Sequence, residues 1–458
     1  MNGNAAQSKL GLALAFAVLG LSTLWCFDLL VLKIPVLTPL DTPEGSQASL
    51  SPIYAFFQPA WRWTALLFPL CAGMLIWRAV GLADPQQTSR RWFTLLLVAV
   101  SLLLPLCLFL VRELPSNLGS NLTYYQNEEV YDDARKITDL ADFYRRYVQL
   151  IPQLSLHGQH FPPGHATLLF VLAKAFGSTT LVVGVCVITL FTAGMVCVYR
   201  ALACQLDEQR ARQGALLCLA CPSCLDFACT SMDAVFFAAA ALCLWLAFAA
   251  LARPQSIAIA VFAGSSLFVA ILLSYSALPL ALAILLCAAL KCRKNAWQPI
   301  RPLLIMGACF AVLILCMGLF TGFNLPAHFI AALRHNVDLM TRVIGHHPGE
   351  LYLLISYGNA AAFLIGSGVA MTGALLLRLL SPNRFGGRLS LAFAAVLAVL
   401  TFGSIHQMET ERIWIYAVPW VVFAALESGR LSTADLRLLL AVGLAQAFVM
   451  EVLLFTLW

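Results

Sequence analysis

Charge is what this sequence has least of. Of its 458 residues only 11% are Asp, Glu, Lys or Arg, while 61% are hydrophobic, and the mean hydropathy is +0.85. A soluble domain needs about a quarter of its residues charged to cover its surface. This chain must therefore turn its surface to lipid. The net charge is only +6, and no basic patch interleaved with aromatics is present, which argues against a nucleic-acid partner. Nucleotide signatures are missing as well. Without a P-loop or a strand-associated G-x-G-x-x-G, neither ATP-driven transport nor a Rossmann-type nucleotide-sugar site is expected. No H-E-x-x-H or zinc-finger spacing occurs, so no metal ligands and no cofactor are assigned. Asp and His sharing one loop leave a divalent ion as the alternative. The 15 cysteines all fall in or beside apolar stretches. They read as small, weakly polar packing residues rather than a disulfide scaffold. The C-x-x-C of Cys221 and Cys224, with Cys218 a turn away, reads the same way.

Long apolar runs are what the chain has in abundance. A helix needs about 20 apolar residues to cross the hydrocarbon core. The pattern predicts about thirteen spans, at 11–32, 63–82, 92–111, 178–199, 214–230, 233–252, 256–273, 277–291, 302–322, 351–378, 389–404, 412–427 and 434–457. The first is too long for a signal-peptide core and lacks a small-residue cleavage site, so it reads as a retained span. Lys and Arg mark cytoplasmic loops. One alternate set of loops holds Arg78, Arg90 and Arg91; Arg200, Arg210 and Arg212; Lys291 to Arg301; Arg378 to Arg388; and Arg430 with Arg437. The opposite set holds Asp41, Glu44, the 113–165 loop, the 323–350 loop and the His406 to Glu411 turn, and is expected to face the periplasm or exterior. The segment 162–177, with two prolines at its start, is short for a crossing. Left out of the count as an interfacial helix, it keeps the charge rule intact along the rest of the chain. All eight histidines then fall on the outward side.

The longest polar interruption runs from Tyr124 to Lys174. In YDDARKITDLADFYRRY, helical spacing sets Asp132 four residues from Lys136 and seven from Asp139, with Asp133 three from Lys136. Such spacing forms ion pairs on a solvated amphipathic helix. It also suits a general base held ionised beside a cation. In HGQHFPPGHATLLF, Pro162 and Pro163 start a helix, and His157, His160 and His165 suit a phosphate or a sugar hydroxyl better than a metal.

These stretches resemble a known family. DDARKITDLA is similar to the D-E-x-R-Y-A-E-I-A pattern in the first outer loop of GT-C glycosyltransferases, which include aminoarabinose transferases and protein O-mannosyltransferases. HFPPGHATLLFVLAKAFG resembles their P-P-containing segment that leads into an apolar stretch. PSCLDFACTSMDAVFFAAAALCLWLA resembles their P-x-n-S-x-x-D-A segment, with Asp233 at its acid. ETERIWIYAVPW resembles the late E-x-x-R-x-W-x-x-x-x-P motif of some bacterial branches. The motifs keep their order from about residue 124 to 420. In the family the active loop usually follows the first span, whereas two further apparent spans precede it here, which leaves Asp41 and Glu44 as rival acids.

The resemblance implies an inverting transferase that takes a sugar from a polyprenyl-phosphate donor and passes it to a lipid, glycan or protein acceptor. It places Asp132 at the catalytic aspartate, Asp133 beside it and Arg135 as a phosphate or carboxylate partner. A phosphate leaving group calls for cations where negative charge develops. Arg334, His335, His346, His347, His406 and Arg412 are available for this, with Glu409 and Glu411 able to pair with Arg412 instead. The expected architecture is all-α: a polytopic transmembrane helical bundle, GT-C-like, forming one integral domain over 1–458. Its outward active-site loop spans 113–177 and carries interfacial helices, and 178–458 supplies the remaining spans. The expected location is a bacterial inner membrane. NLT at Asn121 is a formal glycosylation sequon. The rival reading is a secondary transporter or lipid flippase. That reading calls for internal repeats and charges within spans, for which Asp28 and Glu451 are the acids available.

Overall fold

In lipid every backbone N–H and C=O must be satisfied within the protein, so long apolar runs become helices. The computed structural model describes residues 2–32, 40–42, 45–47, 50, 52–123, 130–177, 179–290, 297–344, 351–379, 387–403, 410–427 and 429–456. Among these, eight helices are long and apolar enough to cross a membrane: Lys9–Leu30, Trp63–Ala83, Arg90–Phe109, Thr180–Gln205, Asp233–Ala252, Trp297–Thr321, Tyr352–Arg378 and Thr433–Leu453. Five shorter apolar helices join them, at Gly164–Phe176, Ile257–Leu273, Tyr275–Ala289, Leu389–Phe402 and Ile415–Leu426. The protein is an all-α, multi-pass membrane bundle. Its described strands are two short antiparallel pairs, Leu40–Thr42 with Gly45–Gln47 and Phe56–Phe57 with Leu454–Phe455.

The sequence writes many helix starts directly. Ser89, Thr179, Asp207, Ser256 and Ser432 each cap a helix by accepting from the backbone N–H three residues on. The helix Asp233–Ala252 packs between Thr180–Gln205 and Ile257–Leu273 and is buried on most sides. The helix Trp297–Thr321 does the opposite, with Leu319 and Phe320 among its most exposed side chains. An apolar helix this exposed belongs at the lipid boundary.

Three expected spans are not single helices; the 412–427 run passes from Thr410–Ile413 through a turn at Trp414 into Ile415–Leu426. The 214–230 run breaks into Glu208–Leu219 and the short helix Pro222–Asp226. Pro222 has no N–H to continue the first helix and holds Cys221 extended, so the chain restarts there. The 351–378 run is interrupted at Gly368, whose φ of 91° is open to glycine and strained for other residues. Gln446 stitches this break. Its Oε1 accepts from the Val369 N–H at 2.8 Å and its Nε2 donates to the Ile365 carbonyl at 3.1 Å. Cys218, Cys221 and Cys224 are buried free thiols at the first break.

Arginines that the charge rule grouped on one side meet at one end of the bundle. Arg212 and Arg90 share Glu208 at 2.9 and 3.9 Å, and Arg210 and Arg430 share Asp207 at 2.8 and 3.4 Å. The Arg212 Nη1 also donates to the Thr88 carbonyl at 2.6 Å.

Candidate functional site

The two adjacent aspartates are carried by a short helix, Val130–Arg135. It ends before Lys136, so the expected Asp132–Lys136–Asp139 face does not form. Asp139 instead caps the next helix, Leu140–Leu150, by accepting from the Asp142 N–H at 2.7 Å. The helix gives its two acids opposite environments. Asp133 is 1% exposed and accepts from the Ser155 N–H at 2.9 and 3.0 Å, the Ser155 hydroxyl at 2.6 Å and Lys136 Nζ at 3.1 Å. Gly158 is required beside it, because a Cβ there would lie 2.1 Å from the Asp133 Oδ2. Asp132 is 52% exposed at its side chain and pairs with Arg135 at 3.2 Å. Arg135 lies over the Tyr131 ring. Asp133 is thus built as an anchor, and Asp132 as an accessible carboxylate beside a cation.

A second anchor holds the same loop. The buried Tyr147 hydroxyl shares its one proton between the Gly158 and Phe161 carbonyls, at 3.0 and 3.1 Å. Burial, then Asp133, raises this phenol well above its usual range, so it remains a donor. Beyond it, the helix Gly164–Phe176 has 13 residues, about 20 Å at helical rise. That is short of a full crossing, in line with leaving it out of the span count.

The histidines are sorted by depth. His165 is fully buried, with its Nδ1 on the Pro162 carbonyl at 2.5 Å. The His160 ring packs at a tilt against His335, centroids 5.3 Å apart, and His335 is bonded to Gln159. Burial, then His335, pushes His160 down to about 4, so it is neutral near pH 7. Arg334 is exposed on the helix Leu325–Ile344. The His157 side chain, together with Glu44, His346, His347, His406 and Glu409, lies outside the described residues.

Asp233 and Arg412, far apart in sequence, form a buried pair at 3.0 Å. The Ser231 hydroxyl donates to the same Asp233 oxygen at 2.6 Å. Arg412 is 5% exposed, so this guanidinium faces a carboxylate inside the bundle. Its neighbour Glu411 accepts from the Tyr54 N–H at 2.8 Å.

An apolar groove of about 520 Å³ runs between the helices Thr180–Gln205, Asp233–Ala252 and Ile257–Leu273. On the central helix it is lined by Val235, Ala238, Ala239, Leu242 and Leu246. These lie on one face over eleven residue steps, about 16 Å of helix. Val235 is two residues from Asp233, and Leu168, also in the lining, is one turn from His165.

Sequence reasoning missed Tyr147, Ser155, Tyr275 and His328. The Tyr275 hydroxyl is 2.7 Å from the His328 Nδ1, inside the shell that holds the loop. Only the punctuation S-Y-S between two apolar runs hinted at Tyr275.

No protein-family model matches the chain, and no curated protein matches it in sequence. Among solved structures it is similar to the Archaeoglobus fulgidus oligosaccharyltransferase tethered to an acceptor peptide containing the NVT sequon. The two share 14% identity and a TM-score of 0.48 over 80% of this chain and 56% of that one. This chain thus spans little more than half the length of that enzyme. The likeness is partial.

Proposed function

We propose that this protein is a membrane-embedded glycosyltransferase of GT-C type. In this reading it takes a sugar from a polyprenyl-phosphate donor and passes it to a lipid, glycan or protein acceptor on the outer face of a bacterial inner membrane. The observation that carries the reading is the groove. It is apolar, open between membrane helices, and lined by Val235 and Leu168 from the helices that also carry Asp233 and His165. A long isoprenoid tail suits its length and lining. Asp132 is the general base for the acceptor, accessible and paired with Arg135 at 3.2 Å. Asp133 positions it by fixing the loop. Arg334 and Arg135, both exposed, are the donor-phosphate contacts, for which a guanidinium fork is well shaped. Arg412 acts one step back, orienting Asp233.

A second reading, transport, has one observation in its favour. The helix break at Gly368 lies against the restart at Pro222, and a small polar chamber nearby in sequence is lined by Arg112, Glu113, Asp226 and Glu451. Broken helices and intramembrane acids are features of transporters. Reconstitution in liposomes with a polyprenyl-phosphate-linked sugar separates the two. The transferase reading expects a glycosylated product. Movement of labelled lipid without any product would replace it with transport.

A further inference from the structure

A small polar chamber of about 30 Å³ lies where the helix Thr433–Leu453 meets the start of the 113–177 loop. Its walls carry three acids, Glu113, Asp226 and Glu451, and one base, Arg112. They leave two negative charges around a space that holds roughly one or two water-sized particles. Arg112 does not cancel those charges. Its Nη1 donates to the Glu451 and Leu454 backbone carbonyls at 3.1 and 2.9 Å, and its guanidinium lies over the Phe455 ring at 5.6 Å. Among the described residues no ion pair within 4.0 Å joins it to any of the three acids.

Asp226 gives the clearest sign of a ligand. Its Oδ1 is wholly buried and has no hydrogen-bond partner among the described residues. A buried carboxylate calls for a cation or a donor. Helix ends add to the pull. Arg90–Phe109 and Thr433–Leu453 both finish at the chamber, where Phe109 and Leu454 line it. C-terminal helix ends carry partial negative charge and favour cations. Neutral oxygens share the same wall, from the Asn121 amide and the Thr230 hydroxyl. The Thr230 hydroxyl donates its proton to the Asp226 carbonyl at 3.1 Å, which leaves its lone pairs available.

Among the described residues no three acids, histidines or cysteines converge as a ready-made metal centre. An ion here must therefore accept a mixed shell of carboxylate, amide, hydroxyl and water oxygens. Calcium does so with flexible geometry, whereas magnesium demands a near-ideal octahedron and gives up its water reluctantly. A chamber this small has little room for retained water. We infer that it binds a calcium ion, with Asp226 and Glu451 as carboxylate ligands and Asn121 and Thr230 completing the shell. The ion ties the last helix and the restart at Pro222–Asp226 to the base of the 113–177 loop. The site stands whether the protein transfers sugar or moves lipid.

The test is isothermal titration calorimetry of the full chain in phosphatidylcholine nanodiscs, stripped of metal and titrated with calcium, magnesium or sodium chloride. The intact chain should bind calcium at a single site, with magnesium weaker and sodium unable to displace it at matched concentration. Asp226→Asn and Glu451→Gln should each weaken calcium at least about tenfold, since affinity follows the charge of the ligands. Thermal midpoints in chelator check the fold. There both variants should melt no lower than the intact chain, because each removes an uncompensated charge. No calcium binding by the intact chain, or undiminished binding in both variants, would overturn the site. A variant that melts lower in chelator would show its carboxylate already paired within the protein, and would overturn the site as well. Equal affinity for magnesium, or displacement by sodium, would overturn calcium as the ion.

Discussion

Replacing Asp133 by Ala separates an anchor from a catalyst. The change removes the acceptor for the Ser155 N–H, the Ser155 hydroxyl and the Lys136 ammonium. Hydrogen bonds to a charged group contribute about 1.5–3 kcal/mol each, and Ser155 makes two. The Lys136 pair is half exposed on the lysine side and adds less than about 1 kcal/mol after solvent screening. Local destabilisation of about 3–5 kcal/mol follows, with the loop from Ser155 to Phe161 losing its first anchor and keeping Tyr147 as its second. Hydrogen exchange of the Ser155 and Gly158 amides should then accelerate by roughly a hundred- to several-thousand-fold, since about 1.4 kcal/mol is a factor of ten. Spectra recorded in detergent or nanodiscs by mass spectrometry resolve this segment. Asp133→Asn should give a smaller acceleration, because the amide keeps one acceptor oxygen. Unchanged exchange in Asp133→Ala would refute the anchoring role. Lost sugar transfer in Asp133→Asn with unchanged exchange would move the base from Asp132 to Asp133.

Three other perturbations follow from the packing. Breaking the buried Asp233–Arg412 pair with Arg412→Met leaves a carboxylate uncompensated and should cost about 3–5 kcal/mol, read as a lower thermal midpoint that the double variant with Asp233→Leu partly restores. Acid should loosen the His160 and His328 region, because both imidazoles stay neutral in the fold with values near 4 but take a proton at the ordinary 6.5 when unfolded. Stability is full above about pH 6.5 and falls as pH drops towards 4, by on the order of 3 kcal/mol per group; thermal midpoints measured across that window should flatten in His328→Phe. Gln446→Leu should unfasten the Gly368 break by leaving the Val369 N–H and Ile365 carbonyl without their stitch, costing about 1–3 kcal/mol per orphaned group, whereas an unchanged midpoint would show that the break holds itself.

Hydropathy made most of the bundle legible, because lipid tolerates few alternatives to helix for an apolar run of that length. Lys and Arg placement grouped Arg90, Arg210, Arg212 and Arg430 before their shared carboxylates were known. Hydropathy cannot register breaks that long-range contacts stabilise. Gly368 looks like any glycine in a span until Gln446 is seen to hold both sides of it. Pro222 was visible, but a proline within an apolar run is tolerated in membrane helices and so did not announce a break. At the site, the sequence singled out the Asp132–Asp133 pair yet could not divide its roles. That division depends on Ser155, twenty-two residues away from Asp133. His165 was legible from its proline-led motif, while His328 and Tyr275 meet only through tertiary packing.

Sugar transfer with Asp132 as the base can be read out in cells. Mass spectrometry of lipids and glycans from cells lacking the protein, and from cells carrying the intact chain or Asp132→Asn, tests it most directly. One sugar-bearing product should appear with the intact chain, be absent without it, and fall at least about a hundredfold with Asp132→Asn while the variant remains folded in the membrane. The same product at near-normal level with Asp132→Asn, or no difference between cells with and without the protein, would contradict it.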